Sequence, residues 1–505
     1  MSVSSLHQRL VHLTHMQASA LMALSLAFFY AGALPPGVRL AGLAFFALLA
    51  LIQPVGGLVC VLLTAPLYLM PAAVDIPGRT LLLPLHEVAL IITTTTAMGR
   101  SVLQSVQRRN SPDQQTPVWR IRATGITYAP HALLALAGII GVTLAVPEGR
   151  GAALREFRWL IVEPLLFYGL ARVVGMPRVL LAGALALSGA LVAIIGVLQF
   201  VGLDLAPLIG EKRAFSENII VADGVRRVAS VYGHPNNLGL YLERVWPLAA
   251  ALAIGLWSGT HPSTATGSRD AERTPRRNLV MLLFFAICAL LSLAGVAVSY
   301  SRGAWLGSAV AATGIGMGWF LFRSQNRQAM HWSALALVGA VIAAVVGLTL
   351  TLRGGPGGGS TDARLLLWRE SLAYLQRSPL GLGLDQFYYY HNPAFGRSLI
   401  DPSLLGTSEE YAAHPHNLLL DAWINVGPIG VLAFGWILLR FYRHAFSVVR
   451  ERRDLMALGA LAAMTAALIH GLVDRFYFVP DLAITFWALT TVAERTENRE
   501  SGVRG

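Results

Sequence analysis

Charge is scarce in this chain. Only 13% of its 505 residues are charged and 55% are hydrophobic, where a soluble domain carries roughly 25% charged residues. A soluble fold this apolar would lack the polar surface to cover itself. The sequence therefore predicts an all-α polytopic membrane protein. Lysine is almost absent: Lys212 is the only one, so arginine carries the formal net charge of +12. No basic patch interleaved with aromatics accompanies that charge, which argues against a nucleic-acid partner. Two cysteines, Cys60 and Cys288, both lie in apolar runs. They exclude a disulfide framework and a cysteine-based metal site. No small-residue cleavage site follows the first apolar run, from Ala18, which is expected to be a membrane helix. No internal repeat is visible.

What is present is a long succession of apolar runs. A spanning helix needs about 20 mostly apolar residues, and on that measure about 12 to 14 spans are expected. They start near Ala18, Val38, Val55, Leu82, His131, Arg158, Arg178, Asn236, Leu279, Gly303, Trp332, Asn417, Leu455 and Val479. Alternate loops are rich in arginine: Arg100 to Arg122, Arg172 and Arg178, Arg269 to Arg277, Arg323 and Arg327, and Arg443 to Arg453. Basic loops face the cytoplasm. Both termini are then cytoplasmic, and two long connections, 203–235 and 353–415, lie on the outer side. The chain divides into N-terminal helices (1–202), a central part (203–441) and C-terminal helices with a tail (442–505). In the second outer loop, R-G-G-P-G-G-G-S-T-D is a hinge, because no Gly-Lys-Ser/Thr follows to make a phosphate loop. The next stretch predicts a helix capped by Thr361 or Asp362 and ended by Pro379, with Leu365, Trp368, Leu372 and Leu375 at helical spacing. It is expected to lie on the membrane surface.

Three polar clusters stand at outer helix ends: Arg227–Gly239 (R-V-A-S-V-Y-G-H-P-N-N-L-G), Ser299–Gly307 (S-Y-S-R-G-A-W-L-G) and His414–Asn417 (H-P-H-N). Arg302 reads either as a snorkelling anchor or as an anion site, since a guanidinium fork fits phosphate oxygens. Gly303 would then let the backbone approach the anion. Arg227 and Arg364 read as solvated charges or as further members of such a site. Asn236 or Asn237 is expected to cap the eighth span, with His234 in the preceding turn. Glu163, Glu243 and Asp421 fall inside apolar spans and are either paired internally or part of a site. Tyr232 and Trp305 read as residues of the interfacial aromatic belt. His414 and His416 could be helix-end anchors, a general base or metal ligands. A metal needs three or four ligands, and no third His or Cys has informative spacing. Of the two, His416 is the better base, because Pro415 holds His414 extended and leaves His416 at the helix start. Asn417 could orient its ring or hold a substrate hydroxyl.

In this order and on one side of the membrane, the clusters resemble the O-antigen ligase and O-antigen polymerase family. R-L-L-L-W-R-E-S, S-P-L-G-L-G-L-D-Q-F and H-P-H-N-L-L-L-D-A-W-I-N-V-G-P-I-G complete a resemblance from about Arg227 to Gly430. The resemblance implies a fold similar to the multi-span glycosyltransferase C class. It also implies transfer of a glycan from an undecaprenyl-diphosphate carrier to a hydroxyl of a lipid, glycan or protein acceptor, without metal or cofactor. Arg227 and Arg302 match the arginines that hold the diphosphate, His416 the base, and Arg364 a further arginine of the outer loop. His414, Asn236 and Asn417 are expected to line the substrate site, at the plasma membrane and among its lipids.

A solute or anion transporter is the competing class. Transporters place polar residues near the bilayer midplane on broken helices, often within repeats. Here the polar clusters stand at helix ends. A signalling or scaffold protein would leave the outer arginines unexplained.

Overall fold

The computed structural model describes residues 14–110, 125–210, 226–259, 274–323, 359–407 and 409–494, with isolated positions between 328 and 343. The span expected from Trp332 lies largely outside the described residues, as do the hinge at 353–358 and the basic loops at 111–124 and 260–273.

The N-terminal helices are α1 (His15–Tyr30), α2 (Pro36–Ile52) and α3 (Pro54–Thr64). A hairpin follows, β1 (Ala72–Ile76) antiparallel to β2 (Arg79–Leu83). The chain is therefore not purely helical, and the span placed at Leu82 begins instead at Leu85, because Gly78 (φ 85°) closes a turn between two extended runs. Next come α4 (Leu85–Asn110), α5 (Gly125–Thr143), α6 (Arg150–Phe157) and α7 (Glu163–Val173), the last two joined by a π-helical turn at Arg158–Val162. Polar groups meet at that turn: the buried Glu163 faces the buried His86 at 3.4 Å, and the exposed Arg158 faces the buried Glu87 at 3.1 Å. Glu163 is thus an internally paired acid. Then follow α8 (Arg178–Phe200), α9 (Pro235–Trp257), α10 (Thr274–Ser299) and α11 (Arg302–Arg323). After them lie α12 (Gly359–Arg377), the short α13 (Phe387–His391), and the final α14 (Leu418–Arg452), α15 (Leu455–Gly471) and α16 (Pro480–Ala493).

Among the described residues five helices are long and apolar enough to cross a membrane: α8, α9, the Asn278–Ser299 part of α10, α11 and α14. Four shorter apolar helices accompany them, including α2 and α15. The molecule is a helical, multi-pass membrane protein. The apolar runs expected from Ala18, Val55, Arg158 and Val479 are helical but shorter than a full span, each broken by proline, by the π turn or by a polar connection.

The core of the C-terminal half is α9. It is buried along most of its length and packs between α10, α8 and α15, while α11 packs on α15. Helix α14 bends at Gly427, whose φ of 63° is left-handed. A side chain there would run into the Leu380 carbonyl, so glycine lets the 380–385 segment lie across the bend. Leu382 and Gly383 both donate to the Ile424 carbonyl at that point.

The segment before α14 has a small core of its own, including Leu367, Tyr374, Leu382, Phe387 and Leu404. Helix α12 starts at Gly359, so Thr361 and Asp362 lie inside its first turn rather than at its cap. Its buried face is Ala363, Leu367, Glu370, Ser371, Tyr374 and Leu375, while Leu365 and Leu372 are exposed. The expected stripe is rotated because Glu370 and Ser371 point inwards to hydrogen-bond within the segment.

Candidate functional site

Side chains from α9, from the segment before α14 and from the end of α15 meet at one carboxylate, Asp474, in the loop between α15 and α16. That loop is pinned from three sides. Asn417 Nδ2 donates to the Leu472 carbonyl at 3.0 Å, Arg244 Nη2 to Phe476 at 2.6 Å, and Tyr477 Oη to Leu160 at 2.7 Å. Asp474 is buried, and its Oδ1 accepts from the Arg475 backbone N–H at 2.8 Å.

His416 Nδ1 lies 3.3 Å from Asp474 Oδ1, and its Nε2 lies 3.5 Å from Glu409 Oε2. His416 is left-handed, with φ 51°, and stands just outside α14. Asn417, not His416, caps the helix, accepting from the Leu419 and Leu420 N–H groups. Both ends of the Asn417 amide therefore make structural hydrogen bonds, which use one of the two Nδ2 hydrogens. The Trp368 indole donates to the His416 carbonyl at 3.2 Å, tying the histidine to α12.

The two histidine rings lie with centroids 4.1 Å apart, tilted at 49°, but have different electrostatics. Burial would draw His416 down, but Asp474 and Glu409 outweigh it and push it up to about 9. Burial, Arg475 and His416 hold His414 well below the usual histidine range, although its Nε2 lies 3.5 Å from Asp474. At neutral pH, His416 is charged and His414 neutral. Burial would lift Asp474, yet His416 and the histidines around it keep it well below the usual carboxylate range.

The arginines converge on this pair. Arg227 Nη2 donates to Asn236 Oδ1 at 2.9 Å, and Asn236 Nδ2 donates to Asp474 Oδ2 at 2.8 Å. Asn236 is thus a bridge inside the first turn of α9. The cap of α9 is His234, whose Nδ1 accepts from the Asn236 N–H, since Pro235 occupies the first helical position. Arg227 Nε also donates to the Ser299 carbonyl at 3.2 Å. Burial draws the Arg227 guanidinium down, followed by the charges of Arg302 and Arg364, so the three cations lie within electrostatic reach of one another. Arg302 begins α11 and is exposed. Neither Arg302 nor Arg364 makes an ion pair among the described residues. Two left-handed residues flank these arginines: Ser230 (φ 54°) follows Arg227, and Tyr300 (φ 50°) precedes Arg302 as His416 precedes α14. Each such non-glycine position costs on the order of 1–3 kcal/mol and persists only where its surroundings enforce it. For Ser230 the enforcement is visible: its Oγ donates to Val192 and its N–H to Gln199.

Behind Asp474 lies a buried pair that sequence reading left open. His470 Nδ1 is 3.0 Å from Glu243 Oε2, and its Nε2 is 3.4 Å from Ser301 Oγ and 4.0 Å from Asp474 Oδ2. Gly303 serves this pair rather than an anion, because a side chain there would meet the His470 ring. Asp421 bonds to Asn425 of its own helix. Tyr232 is fully buried on Asp481 at 2.7 Å and is not a belt residue, whereas Trp305 is 43% exposed.

Asp474, Glu409 and His470 were missed in the sequence. Only the acidic residue in D-R-F-Y-F, ending one apolar run and preceding the next, marked the first. Asp474 also supplies a third potential ligand, since one atom from each of His414, His416 and Asp474 lies within 4.8 Å of the others. Its oxygens already accept from Asn236 and Arg475, and Arg227, which bonds to Asn236, lies within electrostatic reach of Asp474 and of Arg302 and Arg364. That is a poor shell for a cation and a good one for an anion.

Residues 287–435 match the family model described as O-antigen ligase. These residues form an O-antigen ligase domain. No curated protein matches the chain. The O-antigen ligase domain places the chain in surface-polysaccharide biosynthesis as a membrane-embedded, glycosyltransferase-like enzyme. It contains Arg302, Arg364, Glu409, His414 and His416. Arg227, Asn236 and Asp474 lie outside the matched residues and join the domain through the contacts above.

Proposed function

We propose that the protein transfers a glycan from an undecaprenyl-diphosphate carrier to an acceptor hydroxyl at the extracytoplasmic face of the plasma membrane, with both termini cytoplasmic. The observation that carries this reading is the convergence of Arg227, Arg302 and Arg364 on the His416–Asp474 pair. Four positive groups face two carboxylates there, a surplus suited to a diphosphate.

The acceptor oxygen forms its bond to the anomeric carbon as the bond from that carbon to the diphosphate oxygen breaks. The electron pair leaves with the diphosphate, and the three guanidiniums stabilise its charge without a metal. Attack opposite the leaving group inverts the anomeric centre. In this assignment the acceptor's proton passes to the neutral form of His416, which Asp474 orients through Nδ1.

One observation favours a second assignment of the base. A His416 pushed up to about 9 is charged at neutral pH. In that assignment His416 binds the diphosphate as a fourth cation, and Glu409, beside its Nε2, takes the proton. The experiment is a reconstituted assay with a lipid-diphosphate glycan and a hydroxyl acceptor. Glycan leaving its carrier supports the reading; solute flux without cleavage of the carrier bond overturns it in favour of a transporter.

A further inference from the structure

A second polar cavity lies away from the diphosphate corner, at the far end of α12. Thirteen residues of helix separate Arg364 from Arg377, about 20 Å along the axis. Past Arg377 the chain runs through α13 and a single turn at Pro393–Phe395, and then turns back at the left-handed Gly396 (φ 71°). The return brings Arg397 and Ser398 against Tyr374 and Tyr390. The cleft they line is open to solvent and measures about 370 Å³, within the range of small-ligand sites.

Some of its hydroxyls build the wall. Tyr374 Oη accepts from the Leu399 N–H at 2.8 Å and lies 2.7 Å from the Tyr390 carbonyl, and Ser398 Oγ donates to the His391 carbonyl. Others are unspent. The Arg377 guanidinium and the Tyr390 and Ser378 hydroxyls have no hydrogen-bond partner among the described residues. Arg397 donates to the Phe395 carbonyl at 3.4 Å and forms an ion pair with Glu148 at 3.3 Å, and both side chains of that pair are solvent-exposed to a third or more. Such a surface pair contributes little and yields readily to a better anion. Leu399 is the one aliphatic side chain among the described lining, so the cavity does not suit an acyl chain.

We infer that this cavity binds an anionic saccharide. The two guanidiniums take a sugar carboxylate or phosphate by paired hydrogen bonds. The Tyr390 and Ser378 hydroxyls take sugar hydroxyls, and the Tyr390 ring offers a flat face to the pyranose. The ligand is the glycan of the donor or of the acceptor, several rings away from the reacting carbon. That assignment rests on the transferase reading above; the binding itself does not.

The test uses the full chain in lipid nanodiscs. A galacturonic acid trisaccharide and its methyl ester are titrated by ligand-observed NMR. The acid is expected to bind roughly ten-fold more tightly than the ester, as one charge-assisted contact predicts. Arg377→Glu reverses the charge of an exposed, unpaired residue without touching a buried contact, and is expected to abolish the preference. Equal affinity for acid and ester, or a preference that survives Arg377→Glu, overturns the proposal. In the transfer assay with uronate-bearing substrates, Arg377→Glu raises KM for the donor if the donor's glycan occupies the cavity, and for the acceptor if the acceptor's does. Unchanged KM for both overturns the link to the reaction. Wild-type protein that binds the trisaccharide but transfers nothing leaves the cavity standing and removes the transferase reading.

Discussion

Asp474 and His416 are 58 residues apart in sequence and 3.3 Å apart in space. Each explains the other's charge state: the carboxylate keeps the imidazole protonated, and the imidazolium keeps the carboxylate ionised. A pair of this kind is a prepared charge, set before any substrate arrives.

His416→Ala is expected to lower glycan transfer by about 100- to 10,000-fold, the usual contribution of a general acid–base group. Arg302→Ala, which removes a guanidinium that makes no ion pair among the described residues, is expected to cost about 100- to 1,000-fold. Both proteins should insert and purify like wild type. Wild-type rates in both would remove the mechanism.

The pH dependence separates the two assignments of the base. With His416 as base, transfer climbs with pH and levels off near 9, where the ring loses its proton. With Glu409 as base, transfer is level through neutrality and falls above about 9, as His416 gives up its charge. In either case Asp474→Asn should move the inflection to lower pH, since it removes the largest influence raising His416. An inflection that stays in place shows that Asp474 does not act through this ring.

Glu243→Ala leaves His470 buried without its partner. Breaking a buried pair in this way costs about 3–5 kcal/mol. Gly303→Ala drives a methyl group into the His470 ring, an overpacking change worth about 1–3 kcal/mol. Thermal unfolding of the detergent-solubilised protein measures both. A melting temperature unchanged in the two variants would show that the Glu243–His470 contact carries no stability.

The segment between α12 and α14 should loosen as pH rises. Burial would lower His391, but its contacts with Glu370, at 2.9 Å, and with the Glu409 carbonyl, at 2.8 Å, raise it. A raised folded value means the stabilisation is complete below the unfolded value of about 6.5 and is lost as pH climbs through the folded one. Amide exchange at Tyr390–Asn392, corrected for its intrinsic rate, should therefore lose protection above neutral pH. Glu370→Gln should flatten that dependence. Protection that is level with pH in wild type would remove the ion pair from the account.

Chelation should leave transfer intact. The His414–His416–Asp474 group lies within electrostatic reach of Arg227 and Arg364, which disfavour a divalent ion. Loss of transfer in EDTA, restored by one metal, would reverse that assignment.

The helical membrane character was legible because apolar runs register directly in composition. The resemblance between ordered motifs singled out Arg227, Arg302, Arg364 and His416, and the structure brings them within electrostatic reach of one another. What escaped was whatever depended on distance in the chain. Asp474 looks like a loop acid until the α15–α16 connection is folded over α9. Gly303 looks like a backbone opening for an anion until His470 is seen behind it. Asn417 looks uncommitted until both ends of its amide are traced to α14 and Leu472. Helix caps also moved: Pro235 shifted the start of α9 back onto His234, because proline fits the first helical position and gives up no needed donor.

The loop that carries Asp474 comes near the end of the chain, between the last two described helices. Chains emerge and fold from the N-terminus during synthesis. Until that loop leaves the ribosome, Asn236 has no carboxylate to bridge to, His416 is not held in its charged form, and the arginines face one another with nothing between them. The corner closes only then, so a nascent chain short of that loop carries the arginines of the site without the carboxylate that orders them.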